Sequence, residues 1–548
     1  MNALLSATRI AQHSRPGFWP GRTLVDFFDD AVARTPDKIA VTGKNSSSGE
    51  VSTLSYRQMQ RLVRRMALGL VRLGVGRGDV VSCQLPNWWQ FAALHLACIR
   101  IGAITNPLMP IFRHRELRYM LGFAESRILV IPRRYRDFDY PTMVDELRAA
   151  LPRLERVLAV GDTRPDSFEA ELLQPPLEHD SGAENLLSAR QSSPNDIVQL
   201  LYTSGTTGEP KGVLHTSNTL ISIIQCYAKR LGLDDSTVIL MASPLAHQAG
   251  FMYGAMMAPL LGGKLVLQDI WQPDEAAALI EAEGVSYSMG STPFLADLTD
   301  APALARHDIS SLRTFVSSGA PIPRVLVERA VKRLRCAVIS AWGMSETGSV
   351  TTTRPDDAPE KIFGTDGVAL PGMEVRVVDE GGSPKPVNTE GSLQCRGIGN
   401  FVGYFRRPEI SAGDADGWFD TGDLATMDAD GYIRITGRSK DIIIRGGENI
   451  PVVEIEELIY RHPAVQSAAI VAMPDERLGE RGCLFVVLHA GATLSFDDMV
   501  AHLERNHVAK HYFPERLEII DELPRTASGK IQKYVLRERA RALAASRK

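Results

Sequence analysis

The chain has 548 residues, of which 44% are hydrophobic, 23% charged and 7% aromatic. This length allows several domains with large apolar cores, so folding requires neither disulfide bonds nor a structural metal. The 61 Lys and Arg residues are balanced by 65 Asp and Glu residues, and the formal net charge of −4 excludes a strongly basic nucleic-acid-binding protein.

The cysteine pattern and the lack of long apolar runs predict a cytoplasmic protein without a membrane span. Six cysteines are present and none forms a CxxC pair, which is typical of scattered, reduced thiols. The N-terminal residues lack the sustained apolar segment of a secretory signal. The most apolar stretch, 91–112, is interrupted by a histidine, an arginine, an asparagine and two prolines, so we interpret it as a buried helix followed by a loop.

In the first half of the chain, predicted strands alternate with predicted helices. Thr23 precedes an apolar helical pattern and is a predicted helix cap. Residues 56–73 place apolar side chains at helical spacing with arginines on the other face, and the apolar run 80–85 predicts a strand. Residues 172–196 are rich in Pro, Ser, Asp and Glu and predict a surface loop before the apolar strand 197–202. Such alternation is typical of parallel sheets in an α/β fold.

The second half of the chain changes in character twice. From Ile339 onward, glycine-rich turns alternate with short strands, which predicts a compact β-rich subdomain. After Gly437, short helical and strand patterns predict a small α+β domain of about 110 residues. The predicted fold class is therefore α/β, with parallel-sheet α/β subdomains and a β-rich subdomain in a large N-terminal domain, followed by a small α+β C-terminal domain.

The strongest chemical signal is the sequence YTSGTTGEPKGV at 202–213, directly after an apolar strand. Its glycines let the backbone turn and expose N–H groups, and its hydroxyls and lysine add donors, so the loop is suited to surrounding phosphate oxygens. It is not a Walker A loop, because Pro210 precedes the lysine and Gly212 follows it in place of Ser or Thr. The predicted phosphate-binding residues are Thr203, Ser204, Gly205, Thr206, Thr207, Gly208 and Lys211.

Five further motifs follow this loop in order: SGAP at 318–321, AWGMSETG at 341–348, WFDTGDL at 418–424, GRSKD at 437–441 and PRTASGK at 524–530. Together with the loop they resemble the motifs of the adenylate-forming superfamily, which includes acyl-CoA synthetases, luciferases and peptide-synthetase adenylation domains. The resemblance covers nearly the whole chain. It implies an AMP-binding adenylation domain over residues 1–439, a mobile C-terminal domain over residues 440–548, and the use of ATP, Mg²⁺ and coenzyme A.

The resemblance also implies roles for single residues around the nucleotide. Glu346 would bind Mg²⁺ through carboxylate oxygen, which is the hard ligand that this ion prefers. Asp423, assisted by Arg438, would bind the ribose hydroxyls. Trp342 stands where the family usually has Tyr or Phe against the adenine ring, and an indole can stack there as well. Ser345 replaces a common Thr and keeps the hydroxyl. The other implied nucleotide-binding residues are Gly319, Ala320, Pro321, Gly343 and Met344.

The C-terminal motif implies that Lys530 is a catalytic residue. When a carboxylate attacks the α-phosphorus, an ammonium that bridges the two oxygens stabilises the developing negative charge. The family rotates its C-terminal domain between two half-reactions, with the hinge at Lys440 here, and Gly446 and Gly447 would then leave room for the pantetheine thiol. Lys530 also resembles the acetylation target of related bacterial ligases, so a lysine acetyltransferase and a deacetylase are predicted partners.

The resemblance determines the acid less closely than the reaction. Amino-acid-activating relatives place an aspartate in the segment that corresponds to PLAHQAGF at 244–251, whereas this chain has Ala246 and His247, which favours an unsubstituted carboxylic acid. His247 is a predicted catalytic residue. Space for a compact ring or medium chain is predicted around the mostly small residues Ala249, Gly250, Met252, Gly254, Gly290 and Thr292. By general likeness the chain is most similar to cyclohexanecarboxylate–CoA ligases and medium-chain acyl-CoA ligases, with aromatic-acid or fatty-acid ligases as the alternative.

Two other functions stay open. A stand-alone adenylation enzyme that loads a carrier protein would share every ATP motif, and a non-catalytic nucleotide-binding regulator would share the fold. The presence of Lys211, Glu346, Asp423 and Lys530 argues against the regulator. The sequence contains neither GxSxG nor HExxH, which disfavours a serine hydrolase of the nucleophile-elbow type and a zinc peptidase.

Overall fold

The computed structural model describes residues 5–203, 210–319, 322–410, 412–439, 441–445, 448–475, 478–506, 508–526 and 529–545. Its helices are α1 (Ala7–Ser14), α2 (Leu24–Arg34), α3 (Tyr56–Arg72), α4 (Trp89–Arg100), α5 (His114–Ala124), α6 (Tyr140–Leu147), α7 (Ala183–Arg190), α8 (Ser217–Leu231), α9 (Gln248–Gly250), α10 (Met257–Leu261), α11 (Pro273–Glu283), α12 (Thr292–Asp300), α13 (Arg324–Leu334), α14 (Pro359–Gly364), α15 (Val452–Tyr460), α16 (Phe496–Arg505) and α17 (Lys533–Ala545). Its strands are β1 (Ile39–Lys44), β2 (Val51–Ser55), β3 (Val80–Cys83), β4 (Ile104–Pro107), β5 (Ile128–Pro132), β6 (Arg134–Tyr135), β7 (Phe138–Asp139), β8 (Arg156–Val160), β9 (Ile197–Thr203), β10 (Lys211–Thr216), β11 (Val238–Met241), β12 (Lys264–Leu267), β13 (Tyr287–Gly290), β14 (Thr314–Ser318), β15 (Ala337–Met344), β16 (Gly348–Thr352), β17 (Val368–Ala369), β18 (Met373–Val378), β19 (Gly391–Gly397), β20 (Gly403–Tyr404), β21 (Phe419–Met427), β22 (Ile433–Arg438), β23 (Ile443–Arg445), β24 (Glu448–Ile450), β25 (Val465–Asp475), β26 (Gly479–Leu488) and β27 (Arg516–Ile519).

Two large sheets with parallel interiors form most of the fold before β18. The first has the strand order β17-β16-β15-β14-β13-β11-β12-β1-β2, and the second has the order β20-β10-β9-β4-β3-β5-β8. Strands β3, β4 and β5 are buried along their whole length, as expected for parallel strands that are covered on both faces. The predicted α/β fold class is confirmed.

The motif segments lie at one edge of the first sheet. Strands β11, β13, β14 and β15 pair in parallel, so their carboxyl ends lie at the same edge. The chain leaves these strands into segments that carry His247, Ser291, Gly319 and Glu346. In open α/β sheets, ligands bind in the crevice outside the carboxyl ends of the strands.

The β-rich part is smaller than the sequence suggested. It is an antiparallel sheet of order β18-β19-β21-β22 that begins at Met373, and not at Ile339 as predicted. Residues from Ile339 belong to β15 of the parallel sheet, where Gly343 reflects a close approach of two strands: a Cβ there would lie 2.1 Å from the carbonyl oxygen of Gly348.

The last part of the chain forms a small α+β unit. Its sheet has the order β24-β23-β26-β25, with β27 paired to β26. Helix α15 and strands β25 and β26 lie where the sequence pattern predicted them. The exact boundary between residues 439 and 440 stays a prediction.

Two other expectations were wrong in detail. The stretch 91–112 contains the predicted buried helix, α4, but the buried strand β4 lies between it and the irregular residues 108–112, because polar side chains of the stretch find partners inside the sheet. Asn106 donates to Oγ of Ser82 at 2.8 Å, for example. The surface loop predicted at 172–196 contains α7, which is anchored by buried Leu187. Within the described ranges, no helix combines the length and apolarity needed to cross a bilayer.

Candidate active site

A cavity of about 1860 Å³ lies at the carboxyl edge of the first sheet. The parts of the chain that line it include the segments that follow β11, β13, β14 and β15, and the ends of β9 and β10 in the second sheet. The antiparallel sheet that carries Asp423 and Arg438 and the C-terminal unit that carries Asp441 and Lys530 also line it. The motif residues that the structure describes therefore meet in one place, although they come from segments far apart in the sequence.

The two flanks of the predicted phosphate loop are fixed by strand pairing. Thr203 ends β9 and Lys211 begins β10, and these two residues are direct partners in the antiparallel register. Nζ of Lys211 lies 5.0 Å from the ring centroid of Tyr404, a cation–π contact that holds the ammonium on the cavity side of the ring. The predicted residues Ser204, Gly205, Thr206, Thr207 and Gly208 lie outside the described residues.

Glu346 is buried at the cavity wall, with 7% of its surface exposed. The hydroxyl of Tyr404 donates to its Oε1 at 2.9 Å, and the N–H of Phe401 donates to its backbone carbonyl at 2.7 Å. Burial raises the pKa of Glu346, while the Tyr404 hydrogen bond and the cations of Lys211 and Arg438 act in the opposite direction. Sequence reasoning missed Tyr404, and no local pattern relates it to Glu346.

Asp423 is held between two donors from different strands. Arg438, its cross-strand neighbour, donates from Nε to Oδ1 at 2.8 Å, and the indole N–H of Trp342 donates to Oδ2 at 2.9 Å. Trp342 therefore does more than replace the usual Tyr or Phe, because its N–H orients the carboxylate that was predicted to bind ribose. This hydrogen bond could not be anticipated from the spacing of the two motifs.

The other predicted nucleotide residues flank the same edge. Gly319 follows β14, has a φ of +83° and lines the cavity. Gly343, Met344 and Ser345, at the end of β15, line the cavity as well. The backbone carbonyl of Ser345 is contacted at 2.8 Å by Nε2 of His215, which thereby supports the segment before Glu346. Ala320 and Pro321 lie outside the described residues.

Lys530 enters the cavity from the C-terminal unit on a tight turn. Its N–H donates to Oγ1 of Thr526 at 3.1 Å, and its carbonyl accepts from the N–H of Thr526 at 2.8 Å. Burial, followed by the nearby cation of Arg438, lowers the pKa of Lys530 to about 8, against the opposite influence of Asp423, Asp441 and Glu346. An ammonium at this position faces the carboxylates that were predicted to hold the nucleotide and the metal ion.

The turn of Lys530 is in close contact with the first sheet. Gly529 has φ of +83°, and a Cβ there would lie 2.5 Å from Oγ of Ser291, which follows β13. Only glycine combines this backbone conformation with this distance.

His247 lies at the cavity in the segment after β11. Its Nδ1 accepts from the N–H of Ala249 at 3.3 Å, which leaves the proton on Nε2. Burial, followed by the charge of Lys530, lowers the pKa of His247 to about 4, so the imidazole is neutral at pH 7. A neutral imidazole can donate to a carboxylate oxygen from Nε2 without adding a positive charge.

The expectation that small residues leave space beside His247 was wrong for three glycines. A Cβ on Gly250 would lie 2.2 Å from the Pro244 carbonyl oxygen, one on Gly254 would lie 2.7 Å from Met241, and one on Gly290 would lie 2.6 Å from Phe294. These glycines permit close packing, including that of the π-helical turn Phe251–Met256. Two of the predicted residues, Ala249 and Thr292, do border the cavity, together with Ala246, Met289, Ala296, Ile322 and Met344.

The residues predicted for the second half-reaction border the described strand β23. Lys440, Gly446 and Gly447 lie outside the described residues. Beside them, Ile444 on β23 is 51% exposed, and Arg445 donates to Glu515 at 2.6 Å.

The donor set fits Mg²⁺ only as an ion shared with a ligand. Across the described ranges, no group of three or more His, Cys, Asp or Glu side chains could hold a metal. Glu346, the predicted ligand, contributes one carboxylate, which is buried at the cavity wall. Mg²⁺ is usually bound by one or two carboxylates together with substrate phosphates and water. The site therefore suits an ion that arrives with a polyphosphate.

Comparison with known proteins covers nearly the whole chain. The family described as AMP-binding enzyme matches residues 28–405, and the AMP-binding enzyme C-terminal domain matches residues 454–530. A medium-chain fatty-acid–CoA ligase of Escherichia coli (strain K12) is 36% identical over 97% of this chain and 92% of its own length. A 2,3-dihydroxybenzoate-AMP ligase of Bacillus subtilis (strain 168) is 33% identical over 96% of this chain and 95% of its own length.

A solved structure, ATP-bound MatB from Rhodopseudomonas palustris, superimposes with a TM-score of 0.81 at 27% identity and covers 95% of this chain and 99% of its own. These findings confirm the predicted superfamily and the prediction of an AMP-forming acyl-CoA ligase. The chain therefore belongs to the AMP-binding enzyme family.

Proposed function

We propose that the chain is an ATP-dependent carboxylic acid–CoA ligase that acts on cyclohexanecarboxylate or a similar alicyclic or medium-chain acid. The acid and ATP would form an acyl-adenylate and diphosphate, and CoA would then convert the adenylate into acyl-CoA and AMP. The observation that carries the proposal is the meeting of Lys530, Glu346, Asp423, Arg438 and His247 in one cavity.

In the first half-reaction, a carboxylate oxygen attacks the α-phosphorus and the bond to diphosphate breaks. Lys530 would donate to an oxygen of the acid and to an oxygen of the α-phosphate, and so stabilise the charge that grows on both. Lys211 and Thr203, with the loop residues between them, would hold the outer phosphates. Mg²⁺, when bound through Glu346, would neutralise phosphate charge.

The nucleotide would be held by the opposite wall. Asp423 keeps acceptor capacity on both carboxylate oxygens after its bonds to Arg438 and Trp342, and it would accept from the ribose hydroxyls. The Trp342 indole and the backbone around Gly319, Gly343 and Met344 would border the adenine ring, together with Ala320 and Pro321.

The acid would lie beside His247. Its Nε2–H would donate to the substrate carboxylate and orient it for attack. Small and apolar side chains border this part of the cavity, and segment 244–251 contains no acidic residue that could pair with a substrate ammonium. This chemistry suits a hydrocarbon acid.

In the second half-reaction, the thiol of CoA attacks the acyl carbon and AMP leaves. The C-terminal domain would rotate about Lys440 so that Gly446 and Gly447 approach the adenylate in place of Lys530. Replacement of Lys440 by proline, which fixes φ, should therefore impair one half-reaction more than the other.

The relatives support the reaction class more firmly than the acid. The similarity to a medium-chain fatty-acid–CoA ligase favours an aliphatic acid, whereas the similarity to a 2,3-dihydroxybenzoate-AMP ligase keeps an aromatic acid as the alternative. A stand-alone adenylation enzyme that loads a carrier protein would use the same site for the first half-reaction. A non-catalytic regulator would bind ATP without turnover.

The test is a panel of acids: cyclohexanecarboxylate, benzoate, hexanoate, octanoate and cinnamate, each scored by kcat/KM with ATP and CoA. We expect the highest value for cyclohexanecarboxylate or a medium-chain acid. A preference for benzoate or cinnamate would overturn the proposed acid class and leave the ligase intact. Turnover only with a phosphopantetheinyl carrier would indicate a carrier-loading enzyme, and the absence of acid-dependent diphosphate release would indicate a regulator.

Lys530 is also the proposed target of a lysine acetyltransferase and a deacetylase. Acetylation removes the positive charge and should stop the first half-reaction. Quantitatively acetylated protein that forms adenylate at the unmodified rate would refute this regulation.

A further inference from the structure

Glu346 depends on a neighbouring segment, residues 398–405, which we call the strap. The strap contacts the Glu346 backbone through the N–H of Phe401 at 2.7 Å and its side chain through the Tyr404 hydroxyl at 2.9 Å. It also joins the flank of the phosphate loop, because β20 pairs with β10 and the N–H of Phe405 donates to the Gly212 carbonyl at 2.7 Å. A shift of the strap would therefore displace the carboxylate.

The strap is held from its other side by the N-terminal segment, residues 6–19. The Arg9 guanidinium on α1 donates to the carbonyl of Phe401 at 3.0 Å and to the carbonyl of Asn400. The indole N–H of Trp19 donates to the carbonyl of Ile398 at 3.1 Å. Arg9 also lies 6.0 Å from the Trp19 ring, and Trp19 is 2% exposed. The N-terminal segment thus donates hydrogen bonds to three backbone carbonyls of the strap.

Arg9 is a half-buried cation that bonds to neutral groups. Burial lowers its pKa to about 10, and the contacts that stabilise it in the structure are backbone carbonyls and an aromatic ring. A desolvated cation destabilises the fold unless it is well hydrogen-bonded. A methionine of similar length could fill the same space but could not donate to the carbonyls of Asn400 and Phe401, so the hydrogen bonds distinguish arginine here.

We infer that Arg9 is a positioning residue for Glu346: through the carbonyls of Asn400 and Phe401 it sets the strap, and the strap sets the carboxylate that meets the Mg²⁺–ATP complex. The inference rests on the proposed role of Glu346. It extends that site to a residue more than three hundred positions away in the sequence. It adds no catalytic group, because Arg9 acts only through the strap.

The test compares ATP binding with and without Mg²⁺ by calorimetry on the full-length protein, in the absence of acid. We expect Arg9→Met to bind metal-free ATP as the unaltered protein does, whereas the increase in ATP affinity on addition of Mg²⁺ should be up to about tenfold smaller. This is the lower end of the range for loss of an outer-shell partner of a metal ligand, because Arg9 acts one step further out, through the strap. Arg9→Lys keeps the charge and should retain part of the effect. Arg15→Met, at the exposed end of α1, is the matched control and should behave as the unaltered protein.

The outcomes separate this inference from the role of Glu346. If Glu346→Gln loses the Mg²⁺ enhancement while folded Arg9→Met keeps it, Arg9 is not a positioning residue. Equal weakening of metal-free and Mg²⁺-bound ATP in Arg9→Met would also overturn the inference, since it indicates a general structural defect. If Glu346→Gln keeps the enhancement, the role of Glu346 and that of Arg9 both fail. Should Arg9→Met not fold, Arg9→Gln is measured in the same way, and an unchanged enhancement there overturns the inference.

Discussion

The wall that carries Glu346 and Asp423 and the turn that carries Lys530 face the same cavity, but they are held in different ways. The wall depends on contacts between distant segments, such as Trp342 with Asp423, Tyr404 with Glu346 and Arg9 with Phe401. The hydrogen bonds that close the Lys530 turn join residues at most eight apart, as from Gln532 to Pro524. The wall is therefore held together by bonds between distant segments, whereas the turn keeps its shape through bonds within itself.

The largest expected effect is that of Lys530→Ala, a change in the turn that should impair one half-reaction and spare the other. Lys530→Ala should lower the rate of adenylate formation by about 10²- to 10³-fold, because it removes the cation that faces the developing charge. Formation of acyl-CoA from synthetic acyl-adenylate should change little, since the wall is intact. The two half-reactions are measured by diphosphate release and by thioester formation. Lys510→Ala, an exposed lysine of the same unit, is the control. Equal loss of both half-reactions would contradict the distinction.

A wall residue should affect the binding of both ATP and AMP. Asp423→Asn removes the charge opposite Arg438 and weakens the predicted ribose contacts, and we expect the KM for ATP to rise roughly 10- to 100-fold. The affinity for AMP, measured by calorimetry, should fall in parallel. Asp430→Asn, in the exposed turn between β21 and β22, should leave both values unchanged. If the KM for ATP rises but the affinity for AMP is unchanged, Asp423 lies near the outer phosphates and away from the ribose.

The pH dependence tests the electrostatics of the turn. Because burial lowers the pKa of Lys530 to about 8, its ammonium is present below that pH and is lost above it. At low ATP, kcat/KM for adenylation should therefore fall by about tenfold per pH unit on the alkaline side. Lys530→Arg keeps its charge in this range and should move the fall to higher pH. If kcat/KM falls at the same alkaline pH in both proteins, the fall is due to the titration of a group other than Lys530.

The smallest expected effect concerns the orientation of Asp423. Trp342→Phe removes one hydrogen bond to the carboxylate, about 1 kcal/mol, and should raise the KM for ATP about fivefold. Trp88→Phe is a matched control, because Trp88 donates to Asp269 at 2.8 Å in the same way but away from the cavity. A similar change in KM for both variants would show a general effect of losing an indole.

The sequence predicted the fold well where local patterns carry the information. Apolar strands such as β3 and β9 and the amphipathic helix α3 lie where periodicity placed them. Strand β4 was missed because Thr105 and Asn106 look like loop residues until their partners inside the sheet are known. Gly250, Gly254 and Gly290 were misread as leaving open space, since they serve close packing against Pro244, Met241 and Phe294, and periodicity does not show how the chain folds back on these neighbours.

The same reasoning applies to the site. Its motifs identified Lys211, Glu346, Asp423 and Lys530, and the structure brings these together at one cavity. Tyr404 and Arg9 were not found, because their part consists of hydrogen bonds across long sequence separations. A motif records which residues touch the ligand, whereas the residues that orient them are visible only in three dimensions.

Gly529 has a further consequence for the way the two sides meet. Its missing side chain lets the turn lie against Ser291, where a Cβ would come within 2.5 Å of Oγ. An alanine at this position would force the turn or the Ser291 side chain to shift, and the positive φ would add backbone strain. The placement of the Lys530 ammonium thus depends on the residue beside it as well as on its own side chain.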